Sequence, residues 1–103
     1  MRHKFVIVKD MITIEHQANK NQFIALIDGK EAHLKYNISA KDVLDYYSTF
    51  VPPELRGQHI AQNIVKFALD YAKDNHFKVI PSCPFVKKYI DQHAEYQALI
   101  AKP

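Results

Sequence analysis

The sequence has a single cysteine, Cys83, among 103 residues, so an intrachain disulfide is excluded and a zinc site of CxxC pairs is not expected. Glycine occurs twice and proline five times, too few for a collagen-like or disordered chain. Long hydrophobic runs are missing as well. The longest, residues 5–8 and 23–27, fall far short of a bilayer span. No apolar signal-peptide segment follows Arg2 and Lys4, so the sequence reads as soluble, intracellular and cytoplasmic, with no membrane association. Basic residues (14) exceed acidic ones (11) only slightly and are spread along the chain, so no nucleic-acid stripe is expected. The histidines, His3, His16, His33, His59, His76 and His93, never stand four residues apart, and no metal site is expected.

What is present is an ordinary globular balance, with 48% apolar and 24% charged residues. The length suits one core, so residues 1–103 read as a single domain, a monomer or weak homodimer. The first half alternates. Ile12 and Ile14 flank Thr13, Asn19 to Asn21 suggest a turn, and residues 22–27 read as a strand. Asp28 and Gly29 tolerate the positive φ that a tight hairpin needs. In residues 31–38, Ala32, Leu34, Tyr36 and Ile38 point one way and polar residues the other, the mark of a half-buried antiparallel strand. Residues 39–42 read as a loop and residues 43–51 as a fourth strand, with Tyr46 and Tyr47 on opposite faces. His16 and His33 read as strand-surface residues. Residues 5–8 are open between an edge strand and a segment lying loosely on the sheet.

After Pro52 and Pro53 the period changes. Ile60, Ala61, Ile64, Val65, Ala68, Leu69 and Ala72 recur at helical spacing, with Asn75 as a left-handed stop. Residues 77–80 read as a short buried strand. Pro84 then suits the first turn of another helix, capped by Ser82 or Cys83, with Phe85, Tyr89 and Ile90 inward. Residues 93–100 extend this helix or begin a short new one. The expected class is α+β: a mixed, mostly antiparallel sheet with a central parallel βαβ unit across residues 43–82. Parallel strands bring their carboxyl ends to one edge. The loop at residues 52–59 and Cys83 should therefore share a crevice of the kind that binds ligands in open α/β sheets.

That loop, followed by the free N–H groups of a helix's first turn, offers a seat for phosphate. Arg56 adds positive charge, and Gly57 allows a close backbone approach. One glycine is a weak signal, and a plain strand-to-helix turn has the same look. Residues 51–65, V-P-P-E-L-R-G-Q-H-I-A-Q-N-I-V, resemble the acyl-CoA-binding motif of GCN5-related N-acetyltransferases, (Q/R)-x-x-G-x-(G/A) opening a long helix. Together with K-V-I-P-S-C-P-F-V-K-K-Y-I-D-Q-H-A-E-Y over residues 78–96, they resemble a small single-domain branch that carries a cysteine after the strand following the motif helix. The resemblance covers about residues 11–100. Arg56 matches the motif's first position and Ala61 its last. His59 stands where the family has glycine, where it would crowd a pyrophosphate or, on ordinary helical backbone, point outward.

The resemblance implies acetyl-CoA as cosubstrate and an amine acceptor. It implies cofactor contacts from Arg56, Gly57, Gln58, His59, Ile60 and Ala61, with Val51 pairing through its backbone to the pantetheine arm and Pro84 and Phe85 beside the groove. Cys83 reads either as a small buried residue or as a nucleophile that accepts the acetyl group, and direct transfer with a base deprotonating the amine is the alternative to that covalent route. His93 and Tyr96 read either as a surface polar residue and a packed ring, or as a base and an acid for the departing thiolate, with Tyr89 a third option. The leading expectation is an acetyl-CoA-dependent N-acetyltransferase acting on a primary amine. The alternative is a non-catalytic acyl-CoA-binding module. A nucleic-acid-binding domain, suggested only by a pI near 9.0, lacks a basic stripe to support it.

Overall fold

A computed structural model describes residues 4–8 and 12–102. Among them, six strands form one sheet in sequential order: β1 (Lys4–Val8), β2 (Ile12–Gln17), β3 (Gln22–Ile27), β4 (Lys30–Ala40), β5 (Val43–Phe50) and β6 (Lys78–Ile80). Helix α1 (Ile60–Asp74) crosses from β5 to β6, and α2 (Pro84–Gln92) follows β6. Neighbours from β1 to β5 are antiparallel, and β5 with β6 is parallel. The mixed α+β class expected from the sequence is therefore present. The parallel pair closes the sheet rather than lying in its middle. The chain after α2 coils as a 3₁₀ helix (Ala94–Leu99) and returns only Ile100, as a single bridge, to the outer side of Val79.

Turn chemistry sets the hairpins. Asp28 (φ 50°) and Gly29 (φ 77°) are both left-handed, the pairing a two-residue connection with matched strand twist requires. Asn21 (φ 52°) closes the turn before β3 and accepts the N–H of Tyr36 at 3.0 Å. The segment at residues 5–8 is resolved as an edge strand, with Ile7 opposite Thr13.

Other sequence expectations are corrected as well. Ser39 and Ala40 belong to β4, not to a loop, because Asp42 (φ 61°) makes a two-residue turn sufficient. Ile38 is 65% exposed rather than inward. The β4–β5 register shifts on both sides of it, and β4 has run past its last paired residue with β3, Lys35. At the end of α1 the left-handed residue is His76 (φ 62°), not Asn75, whose side-chain amide instead donates to the Tyr71 carbonyl at 2.8 Å.

The core lies between the sheet and α1. Ile64, Val65, Ala68, Leu69 and Ala72 are fully buried, as their spacing predicts. They meet Phe23, Ala25, Leu34, Tyr36 and Tyr46 from the strands. Tyr46 donates its hydroxyl to the Ala68 carbonyl at 2.7 Å, tying β5 to the middle of α1. His16 is not on the surface. It is 5% exposed, stacks on Phe23 with ring centroids 4.3 Å apart, and holds Tyr36 at 2.7 Å from Nε2 to hydroxyl. Strand alternation puts it in register with Phe23, on the face that α1 covers. No helix among the described residues is long and apolar enough to cross a membrane.

Candidate active site

The site begins where β5 and β6 part. Their register runs only through Val43–Lys78, Leu44–Val79 and Asp45–Ile80. One further rung, the Cys83 N–H donating to the Tyr46 carbonyl at 2.9 Å, ends the contact. Beyond Tyr46, β5 continues to Phe50 with no strand on that side among the described residues. An unpaired strand edge of N–H and C=O groups is a template for another extended chain.

The connection to α1 is shaped by its own residues. Pro52 (ψ 145°) ends the strand, and Pro53–Leu55 forms one 3₁₀ turn that buries Leu55. Gly57 (φ 83°) then reverses the chain in a conformation that side chains rarely adopt. His59 caps α1 with φ 62° and ψ 22°. The ordinary helical backbone weighed for His59 is therefore not what forms, and the family's glycine preference has a direct cause: this position is left-handed. His59 also makes no side-chain bond to the helix end. The first helical bond runs from the Asn63 N–H to the His59 carbonyl at 3.1 Å, leaving Ile60, Ala61 and Gln62 N–H groups outside the ladder. No acidic residue stands in that first turn, so the positive end of the helix dipole is not offset locally.

Strand edge, turn and helix end enclose a groove of about 250 Å³, lined by Val51, Leu55, Arg56, Gly57, His59, Ile60, Ala61, Gln62 and Phe85. Arg56 donates from Nε to the Val51 carbonyl at 3.0 Å, which fixes the guanidinium at the rim. Of the residues expected to contact a cofactor, Val51, Arg56, Gly57, His59, Ile60, Ala61 and Phe85 come together here. Gln58 is exposed and outside the wall, and Pro84 occupies the first position of α2. Leu55 and Gln62 are wall residues the sequence reading passed over. Leu55 carried a signal, as the one apolar side chain between Pro53 and His59.

Cys83 is not part of the groove wall; it stands two residues before Phe85 at the N-cap of α2, 6% exposed, with Val86, Tyr89 and Ile90 forming that helix's buried face. Phe85 is only half-buried and turns to the groove instead. The Cys83 thiol points at the Thr49 hydroxyl, 3.4 Å away. Thr49, two residues before Val51 on the unpaired stretch of β5, was not singled out from the sequence.

His93 and Tyr96 lie elsewhere. They follow the C-terminal end of α2, a nine-residue helix about 13 Å long at 1.5 Å per residue, while Cys83 begins it. The His93 ring stacks on Tyr89 with centroids 3.9 Å apart, its Nδ1 against the Tyr89 carbonyl at 2.8 Å. Tyr96 donates its hydroxyl to Asp70 at 2.7 Å, and Asp70 also accepts from Lys66 at 2.9 Å. Burial, and then the bond to Asp70, hold the Tyr96 hydroxyl protonated well above the usual phenol range. Burial raises Tyr89 as well.

The chain belongs to the GCN5-related N-acetyltransferase family, whose sequence profile matches residues 22–99. Among curated proteins it is 31% identical to Protein NATD1 of Gallus gallus over 84 residues, covering 80% of this chain and 76% of that one. It is 27% identical to Protein NATD1 of Danio rerio over 94 residues, covering 89% and 86%. The NMR solution structure of a GCN5-like protein of Staphylococcus aureus superposes with a TM-score of 0.68 at 25% identity, over 87% of this chain and 88% of that one.

Proposed function

We propose that this chain transfers the acetyl group of acetyl-CoA to a primary amine, in the groove between β5, α1 and α2. One observation carries this reading: an unpaired strand edge at residues 47–50 is joined by the turn through Gly57 to three helix N–H groups outside their ladder. A pantetheine arm, which is extended and amide-bearing, suits the first, and a pyrophosphate suits the second. Val51 would pair with the arm through its backbone. Ile60 and Ala61 would donate N–H groups to the pyrophosphate, and Arg56 would add its remaining guanidinium N–H groups. Gly57 fits the chain reversal that brings these donors together. Phe85 would close the apolar side.

Bound acetyl-CoA supplies an activated acyl carbon. The Cys83 sulfur attacks that carbon, a new thioester forms on the protein, and CoA departs with the proton Cys83 gave up. The acceptor amine then attacks the acetyl-cysteine. An amide forms, the bond from sulfur to acyl carbon breaks, and the amine's proton returns to Cys83. Tyr96 and His93, at the far end of α2, take no part in this scheme. A sheet-bound groove with few surrounding loops suits a protein, peptide or small-molecule amine alike.

The test is acetyl transfer by the purified chain with acetyl-CoA and an amine panel of polyamines, lysine peptides and peptide N-termini. Free CoA released in step with an acetylated amine supports the reading. Binding of acetyl-CoA without transfer to any amine supports the acyl-CoA-binding module instead.

A further inference from the structure

Among the described residues, Thr49 is the one polar side chain bonded to the candidate nucleophile, and it stands on the stretch of β5 beyond its pairing with β6. β6 ends at Ile80, a tight turn follows in which the Ser82 N–H donates to the Ile80 carbonyl at 3.0 Å, and Cys83 then contacts β5 twice. The backbone N–H reaches the Tyr46 carbonyl at 2.9 Å, and the thiol reaches the Thr49 hydroxyl at 3.4 Å. The first contact fixes where the Cys83 backbone stands, and the second fixes where its sulfur points. Thr49 pairs with Leu34 on β4, so its backbone is held from the opposite side. As a β-branched residue it has few side-chain rotamers to choose from. Its hydroxyl is suited to both states of the reaction. It accepts from a thiol S–H and donates to a sulfur that has lost its proton.

Resting on the acetyltransferase reading above, we propose that Thr49 is a positioning residue for the Cys83 sulfur: its hydroxyl aims the sulfur into the opening between β5 and β6 and donates to it as the proton leaves. Thr49 itself forms no bond to the acetyl group. Its loss therefore slows acylation of Cys83 and leaves acetyl-CoA binding intact.

The experiment compares Thr49→Val, which keeps the branched shape and removes the hydroxyl, with Thr49→Ser, which keeps the hydroxyl. Each full-length variant is mixed with acetyl-CoA without an acceptor, and acetyl-cysteine formation is followed by mass spectrometry while calorimetry gives acetyl-CoA affinity. Thr49→Val is expected to acylate roughly tenfold more slowly with affinity within about twofold of the parent, one hydrogen bond's worth of transition-state support. Thr49→Ser is expected to recover most of the rate. Equal rates in the parent and Thr49→Val overturn the role of Thr49 alone. A Thr49→Ser as slow as Thr49→Val also overturns it, because the methyl group would then be what matters. A parent that acetylates amines without ever forming acetyl-cysteine removes the covalent step, and the role of Thr49 with it. A parent that transfers no acetyl group at all overturns the underlying function.

Discussion

The Cys83 thiol and the Thr49 hydroxyl meet at 3.4 Å, just past the last rung between two parallel strands. That contact joins the two halves of the site. Two residues beyond Thr49 is Val51, and two beyond Cys83 is Phe85, both in the groove wall.

Replacing Cys83 with alanine removes the sulfur and little volume. The expected result is loss of acetyl transfer with acetyl-CoA affinity within about threefold of the parent, under 1 kcal/mol. Calorimetry and a turnover assay on the same preparation check both halves.

Tyr96→Phe separates a structural from a chemical role for Tyr96. Its hydroxyl is bonded to Asp70, so the variant should lose about 1 kcal/mol of stability. Under the proposed scheme, in which Tyr96 takes no part, turnover should stay within about twofold of the parent. A melting curve and a rate measurement read the two effects apart.

His59→Gly relieves a left-handed conformation at a residue with a side chain. Strain of this kind costs about 1 kcal/mol, so the variant is expected to melt a few degrees higher. Gly57→Ala should do the reverse, losing about 1 kcal/mol. An added Cβ at Gly57 meets nothing within 4 Å, so the loss is conformational rather than steric. Paired thermal melts of the two variants check the signs.

Alkaline stability follows from the buried tyrosines. Burial, and then the neighbouring Tyr71, push Tyr36 up to about 12, and burial raises Tyr46 well above the ordinary phenol value. Above pH 10 the unfolded chain gives up these protons while the folded chain keeps them, so the folded state binds more protons and stability falls as pH rises. Stability contributed by these phenols is full below pH 10 and declines toward pH 12. Urea midpoints measured from pH 8 to 12 should show that decline, and Tyr36→Phe should reduce it.

The helical half was legible because Ile60, Ile64, Ala68 and Ala72 repeat on one face with nothing to interrupt them. The hairpin at Asp28 and Gly29 was legible because few residues tolerate two positive φ values in succession. His16 was misread as surface, although Ile14 and His16 share a phase, because a histidine in a short strand looks polar until its neighbours are known. Ile38 was misread because alternation does not reveal where a neighbouring strand stops. In the site, the motif at residues 56–61 located the groove. Thr49 stayed hidden because its partner lies 34 residues away and nothing local to β5 marks it. Tyr96 and His93 were candidates by residue type, and the placement of both beyond the C-terminal end of α2, which Cys83 begins, was not legible in the sequence.

The most direct test of the site is an amide-shift map of the chain on titration with acetyl-CoA. Shifts are expected to concentrate at Val51, at residues 56–62, and at Cys83 and Phe85, with the Ile60 and Ala61 amides among the largest. Saturable binding that leaves these amides unmoved and shifts another face of the sheet would contradict this expectation.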